Sequence, residues 1–481
     1  MYIHSRLFKN TCLSALAFAM MGAALPADAM TLRESVAVAL ESNPDIGQAI
    51  ENREAIEFEL RQARGLYMPS VDLEGSVGIR RLANPSRRAL KIDDDPLYPT
   101  EASVVATQKL FDGGGRRAEL KRQAARVDSA SFRIMERSEY IGLQVTREYI
   151  EYFLQRAIVN EAIHNVNVHQ RIYRNIGSAI EGGSLTQADR QQARERVLAA
   201  TARLQEAREE LKAAQIRFYR LVGKKLSRPK FPRSVARHLP SSLSRAIGIA
   251  RGNNPRIHMA KADIDAADAL VKAARSKYLP EISAEGRSRA GHDIDGADGR
   301  TTDLRARLVL KWNLYRGGIN KANEQEQIRR VSEMRMVLHK IHREVEEAVR
   351  ISWDRRLQRS RLAQILRMQV AQNNRLIASY RKQFSIGKRS LLDVLDAQNT
   401  YFNSRILAKS AEYASLFAEY RILASTGQLL STLKLSAPKQ TEAYARAEFK
   451  VPETAPTEIY PRVPSRQENK LPMDLLAPLN P

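Results

Sequence analysis

Cysteine is nearly absent: the 481-residue chain has one, Cys12. A disulfide framework and any multi-cysteine metal site are excluded. Aromatic residues make up only 6%. Runs of about 20 apolar residues are missing and mean hydropathy is −0.43, which excludes a polytopic helical membrane protein. A transmembrane β-barrel stays open, because its alternating strands barely raise the mean. Acidic residues are in the minority, 54 against 78 Lys and Arg, for a net charge of +24. No Walker lysine, nucleophile elbow or Ser/His/Asp grouping occurs, so catalysis has no candidate residue and the chain reads as a non-enzyme without cofactors. Apolar content of 43% still suffices for a core.

The first residues read as an export leader. Arg6 and Lys9 precede an apolar stretch from Leu13 to Leu25, and Ala27-Asp28-Ala29 gives a small-residue cleavage site. Residues 1–29 are therefore expected to be removed, with Met30 first in the mature chain. Cys12 leaves with the leader and does not resemble an acylated lipoprotein cysteine. Export also argues against nucleic acid as the partner of the basic charge. Outside the cytoplasm that charge meets lipopolysaccharide or acidic protein, or simply solvates long helices.

Proline is missing from Thr100 to Arg228 and again from Glu281 to Ala437. Within the first tract Ala193, Val197, Ala200, Leu204, Ala207, Leu211, Ala214, Phe218 and Leu221 alternate steps of four and three, the pattern of a seam against a neighbouring helix. Ile328, Val331, Met334, Leu338, Ile341, Val345 and Ala348 repeat it in the second tract. A helix from Gly115 to Ile180 would be roughly 100 Å long, a strut or a tube wall. Before each tract lies strand alternation: Val71, Leu73, Gly75, Val77 and Ile79 against Asp72, Glu74, Ser76, Gly78 and Arg80, then Leu304 to Leu314 against Asp303, Arg305 and Arg307. A barrel strand with lipid outside and water inside reads this way. A soluble half-buried strand reads the same, and the export leader favours the membrane.

The chain also contains itself twice. Asn43-Pro44 recurs as Asn254-Pro255, and Tyr67-Met68-Pro69 as Tyr278-Leu279-Pro280. Phe111-Asp112-Gly113-Gly114 recurs as Tyr315-Arg316-Gly317-Gly318, and Gly183, Asp189 and Ala193 as Gly387, Asp393 and Ala397. The spacing shortens inside the strand–loop–strand segment, where a hairpin tip tolerates deletion. The expected division is a leader (1–29), a first repeat (30–230), a second repeat (231–435) and a proline-rich flexible tail (436–481). Each repeat reads as two short helices, a β-hairpin, a very long helix, a turn and a long helix.

In the order and duplication of these motifs, and in the segment Gly387-Lys-Arg-Ser-Leu-Leu-Asp-Val-Leu-Asp-Ala-Gln398, the chain resembles the TolC family of outer-membrane channels over roughly residues 31–435. The resemblance implies a mixed α+β membrane protein and a homotrimer, four strands per chain closing one twelve-stranded barrel in outer-membrane lipid above a helical periplasmic tunnel. It also implies service as an exit duct, with a periplasmic adaptor and an inner-membrane transporter as partners. By the same resemblance Asp393 and Asp396 correspond to acidic rings at a closed tunnel mouth, where crowding raises carboxylate pKa values and draws in cations. Arg389 corresponds to a tether, with Asp189 as its partner, and Phe384 stands where the family often has tyrosine. The plainer alternative is that Asp393 and Asp396 only stabilise a helix N-terminus.

Other groupings have two readings. Arg287, Arg289, Arg305 and Arg307 line a pore if the apolar strand face meets lipid, or they pair with Asp72, Glu74 and Glu285 on neighbouring strands. His339, His342 and Glu346 fall at helical spacing for a metal, with a solvated helix face preferred. Gly113-Gly114-Gly115-Arg116-Arg117 looks like a phosphate cradle, but its twin Gly317-Gly318 lacks the arginines, so a strand-to-helix hinge reads better. An exported coiled-coil structural or chaperone-like protein is the alternative to the channel; it would need no amphipathic hairpins.

Overall fold

The structure, a computed structural model, describes residues 30–454 apart from 182, 184 and 297. The expected leader and residues 455–481 of the tail lie outside the described residues. The first half runs α1 (Leu32–Ser42), α2 (Pro44–Gly65), β1 (Ser70–Val77), α3 (Pro85–Ala89), β2 (Thr100–Phe111), α4 (Gly115–Glu181) and α5 (Gln187–Val222). The second half runs α6 (Leu243–Asn253), α7 (Pro255–Ser276), β3 (Glu281–His292), β4 (Arg300–Lys311), α8 (Ile319–Ser385) and α9 (Leu391–Ser425), before two single turns, α10 (Leu429–Thr432) and α11 (Ala445–Glu448). The molecule is thus mostly helical with one small sheet. No described helix is long and apolar enough to cross a membrane.

The repeated Asn-Pro pair has a structural reason in both halves. Proline fits the first turn of α2 and of α7, where an N–H would go unused. The Asn43 side chain accepts from the Asp45 N–H and donates to the Leu221 carbonyl at the end of α5 (3.0 Å). Asn254 caps α7 in the same way and donates to the Ser425 carbonyl at the end of α9 (3.4 Å). Each pair therefore locks a short-helix break to the C-terminus of a long helix.

Helices α4 and α8 have 67 residues each, about 100 Å of helix. The α5 seam is buried or half-buried at all nine predicted positions. On α8 the stripe holds as far as Val345, but Ala348 is exposed and Val349 and Ser352 are buried instead. One step of four in place of three keeps the stripe facing α6. The largest core gathers around Ile134, Ile141, Tyr149 and Phe153 of α4, with Val36 of α1, Phe218 of α5 and Leu423 of α9. The Tyr149 hydroxyl reaches the carbonyls of Met30 (2.9 Å) and Lys230 (2.7 Å), so both ends of the first repeat meet at mid-helix.

Residues 436–454 correct the expectation of an uncored tail. Ala445 is fully buried against Leu60, Ala124 and Val127. Arg446 joins Asp128 of α4 (3.0 Å) to Asp265 of α7 (2.7 Å). Proline content signalled irregular backbone but carried no information about docking, which depends on buried acids far away in sequence.

Candidate functional site

The strands form a single antiparallel sheet in the order β1-β2-β3-β4. Its register places Asp72, Val105, Arg287 and Arg305 in one cross-strand row, flanked by Glu74, Ser103, Arg289 and Asp303 and by Thr107, Glu285 and Arg307. Period-two alternation then gathers the charged residues on one face and Val71, Leu73, Val104, Leu304 and Leu308 on the other. Leu73, Leu304 and Leu308 are 79%, 85% and 73% exposed. Among the described residues nothing covers this apolar face, and β1 and β4 each keep an unpaired edge. A four-stranded sheet cannot close on itself, since membrane barrels need at least about 8 strands.

All four predicted arginines lie on the charged face, and all four are paired. Arg287 meets Glu101 (2.9 Å) and, more distantly, Glu74 (3.9 Å). Arg289 bridges Asp303 (3.1 Å) and Asp295 (2.9 Å). Arg305 shares Asp303 (3.4 Å), and Arg307 meets Glu285 (2.7 Å). The two readings of these residues are therefore compatible. Among the described residues Asp72, an expected partner, takes no arginine. Glu101, Asp295 and Asp303 do instead, and sequence reading missed them as partners because register across strands is not visible in one strand. The strands also sit elsewhere than predicted: Ile79 lies beyond β1, while Trp312 and Leu314 lie beyond β4. Trp312 turns its indole N–H to the Tyr278 carbonyl (3.1 Å).

At the far end of the helices the turns at Gly183 and Gly387 come together. Ile176 of α4, Ala193 of α5 and Leu391 and Leu395 of α9 share one apolar cluster, with Phe384 packed against it. Gly387 has φ +74°, a left-handed conformation that suits glycine at a helix end. The next helix starts with a capping box in both repeats: Thr186 with Asp189, and Ser390 with Asp393. Each carboxylate accepts the backbone N–H and hydroxyl of its cap residue. The Ser390 hydrogen bonds, with the Arg389 guanidinium beside them, hold the Asp393 carboxyl below its usual range. Within a protomer this is opposite to the expected upward shift.

The expected Arg389–Asp189 tether is not formed within the protomer. Asp189 is committed to Thr186, while Arg389 sits over the Tyr380 ring (4.4 Å), donates to Gln383 (3.0 Å) and lies 3.7 Å from Asp393. Local capping has claimed both carboxylates. Asp396 instead receives Arg196 of α5 at 2.9 Å, an ion pair between the two repeats at the tip. Sequence reading missed Arg196 and Tyr380, since both meet their partners only through the packing of the turns.

The remaining groupings resolve into structural roles. Glu346 is taken by Arg251 (2.8 Å) and Arg350 (2.7 Å). Arg116 pairs with Asp112 and donates to the carbonyls of Lys109 (2.9 Å) and Leu110 (3.3 Å), with its guanidinium over Tyr67. Gly113 has φ +65°, and a Cβ there would stand 2.6 Å from the Ser276 carbonyl oxygen. The glycine run is thus a tight strand-to-helix junction pressed against the other repeat.

Comparison with known proteins agrees with this geometry. The family model described as "Outer membrane efflux protein" matches residues 36–224 and 246–428. The outer membrane efflux protein BepC of Brucella suis is 24% identical over 427 residues, covering 86% of this chain and 90% of BepC. The alkaline protease secretion protein AprF of Pseudomonas aeruginosa is 24% identical over 420 residues, covering 83% and 85%. The crystal structure of the Campylobacter jejuni CmeC outer membrane channel superposes with a TM-score of 0.72 at 16% identity, covering 87% of this chain and 89% of CmeC. The duplicated hairpin-and-long-helix layout, its bare apolar sheet face and a match across both repeats make this chain a member of the outer membrane efflux protein family, a channel protein of the outer membrane whose helices stand in the periplasm.

Proposed function

We propose that the chain is the outer-membrane exit duct of a tripartite export system, conducting cargo passively from an inner-membrane transporter through a periplasmic adaptor to the exterior. The observation that carries this reading is the four-stranded sheet with two open edges, one apolar face bare and one face charged. Three copies joined edge to edge give a twelve-stranded barrel with Leu73, Leu304 and Leu308 toward lipid and Arg287, Arg289, Arg305 and Arg307 toward water. The long helices continue below as a tunnel, and Asp393, Asp396, Arg389 and Asp189 lie at its far mouth as the gate. A structural or chaperone-like coiled coil has no use for so large an uncovered apolar face.

Cargo is the open choice within this reading. AprF is named for protease secretion and BepC for efflux, and the pump rather than the duct selects what passes. Two measurements test the proposal. The native protein should remain in carbonate-washed outer membrane with the mass of three chains, and reconstituted in a planar bilayer it should conduct ions. Recovery from the soluble periplasm as a monomer would refute it. Deleting the gene and comparing the secreted proteins with sensitivity to small toxic compounds then separates the two cargo classes.

A further inference from the structure

From Arg355 to Leu392 the chain carries no Asp or Glu, while Arg and Lys recur throughout. At the start of this stretch α8 and α9 part around a trough of about 540 Å³. The trough exists because α9 presents short side chains there, Ala414 and Ala418 among them, between Leu362 of α8 and Leu407 and Phe417 of α9. Arg355 and Arg359, one turn apart on α8, and Arg421 on α9 complete its wall.

Among the described residues none of these three arginines has a carboxylate at ion-pair distance. The acids on the same stretches are engaged elsewhere: Glu412 by Arg367 (3.1 Å) and Lys409 (3.4 Å), Glu419 by the Ser234 hydroxyl (2.6 Å) and the Val235 N–H (2.9 Å), and Asp354 by Gln358 (3.4 Å). Partial burial, with Arg355 close by, pushes the Arg421 guanidinium below the usual arginine value. Arg405, also on α9, is by contrast compensated by Glu161 (2.6 Å). Arg421 is half-buried beside the apolar floor with the exposed Arg355 near it, and an anion there offsets both the burial and the like-charge repulsion.

We propose that this trough binds an anionic amphiphile, a small molecule with one sulfonate- or carboxylate-like head and an apolar body. The head sits among Arg355, Arg359 and Arg421, whose planar guanidinium groups suit a multi-oxygen anion. The body lies over Ala414 and Ala418 against Phe417. The volume falls in the range of small-molecule sites, roughly 300–1,000 Å³. The site belongs to one protomer and does not rest on the exit-duct reading.

The test uses the mature protein, from which Cys12 has left with the leader, in lipid nanodiscs. It is titrated with the fluorescent probe 5-dimethylaminonaphthalene-1-sulfonate and, as the neutral control, the matching sulfonamide. The sulfonate should bind saturably, and at least about tenfold tighter than the sulfonamide. Arg355→Gln with Arg421→Gln should abolish that preference, whereas Arg330→Ala, a remote exposed arginine, should leave it intact. A footprint supplies a measurement in which all three arginines are kept. Leu407→Cys should react with a charged maleimide, and the sulfonate should protect it. Equal affinity of the sulfonate for parent and double variant overturns the proposal. So does a Leu407→Cys thiol that is unreactive without the probe, because another copy of the chain would then cover the trough.

Discussion

Asp128 and Glu139, about three turns apart on α4, each cap one of the short helices that follow α9. Asp128 accepts the N–H groups of Ala445 (2.8 Å) and Arg446 (3.2 Å), and Glu139 those of Leu429 (3.2 Å) and Leu430 (3.3 Å). Both carboxylates are buried. Asp128 also has the Arg446 guanidinium, whereas Glu139 has the helix N-terminus alone. Burial therefore pushes the Glu139 carboxyl up to about 7, although the Leu430 and Leu429 N–H groups oppose the shift.

That shift sets the sign of a pH effect. Folded Glu139 holds its proton between about pH 4.5 and 7 while the unfolded chain has released it, so this group's contribution to stability declines as pH rises through that window. Glu139→Gln removes the buried charge and keeps an acceptor for one of the two N–H groups, which in the parent go to different oxygens. The lost hydrogen bond lowers stability alike at both pH values, so relative to the parent the variant should be up to roughly 3 kcal/mol better off at pH 8 than at pH 5. Thermal melting of parent and variant at both pH values checks this, and a difference equal at both would rule out titration as the cause.

Arg446 is one of the bridges between the repeats. Asp128 and Asp265 have side chains only 3% and 4% exposed, so Arg446→Ala strands two buried acids. A loss on the order of 3–5 kcal/mol is expected, together with protease cleavage appearing between residues 436 and 454. Melting temperature and limited proteolysis report the two effects. Unchanged melting would show that the bridge contributes nothing to stability.

The sheet faces are tested by two neighbouring substitutions. Leu308→Arg places a guanidinium on the bare apolar face and should cost about 2–4 kcal/mol near a bilayer midplane. Arg307→Leu leaves Glu285 on the charged face and should assemble normally. Folded trimer recovered from outer membrane is the readout. Equal recovery of both variants would mean that the faces are reversed or that no bilayer is involved.

At the helical tip, Asp393→Asn retains an acceptor for the Ser390 cap, so the combination with Asp396→Asn removes charge while sparing the helix start. In single-channel recording the pair should weaken block by multivalent cations. Arg196→Ala, which frees Asp396 from its cross-repeat partner, and Arg389→Ser should each raise open conductance. Recordings indistinguishable from the parent in all three cases would place the constriction elsewhere.

Local rules were enough for the sequence to determine the long helices, the α5 seam, the paired Asn-Pro breaks and the two amphipathic hairpins. Helical period, strand alternation and proline exclusion act over a few residues and are written where they operate. The duplication made the order of elements legible, because each half supplies a second copy of the same signals. Partners were not legible. Arg287 meets Glu101 rather than Asp72 because register is a property of two strands together. Arg196 meets Asp396 because the turns of different repeats pack end against end, whereas Arg389 stays within its own turn, over Tyr380 and beside Asp393. The segment around Ala445 looked like loose tail, and only the folded molecule places it on Asp128. A buried carboxylate selects its donors by proximity in space, and separations of some 300 residues along the chain leave no local trace of that choice.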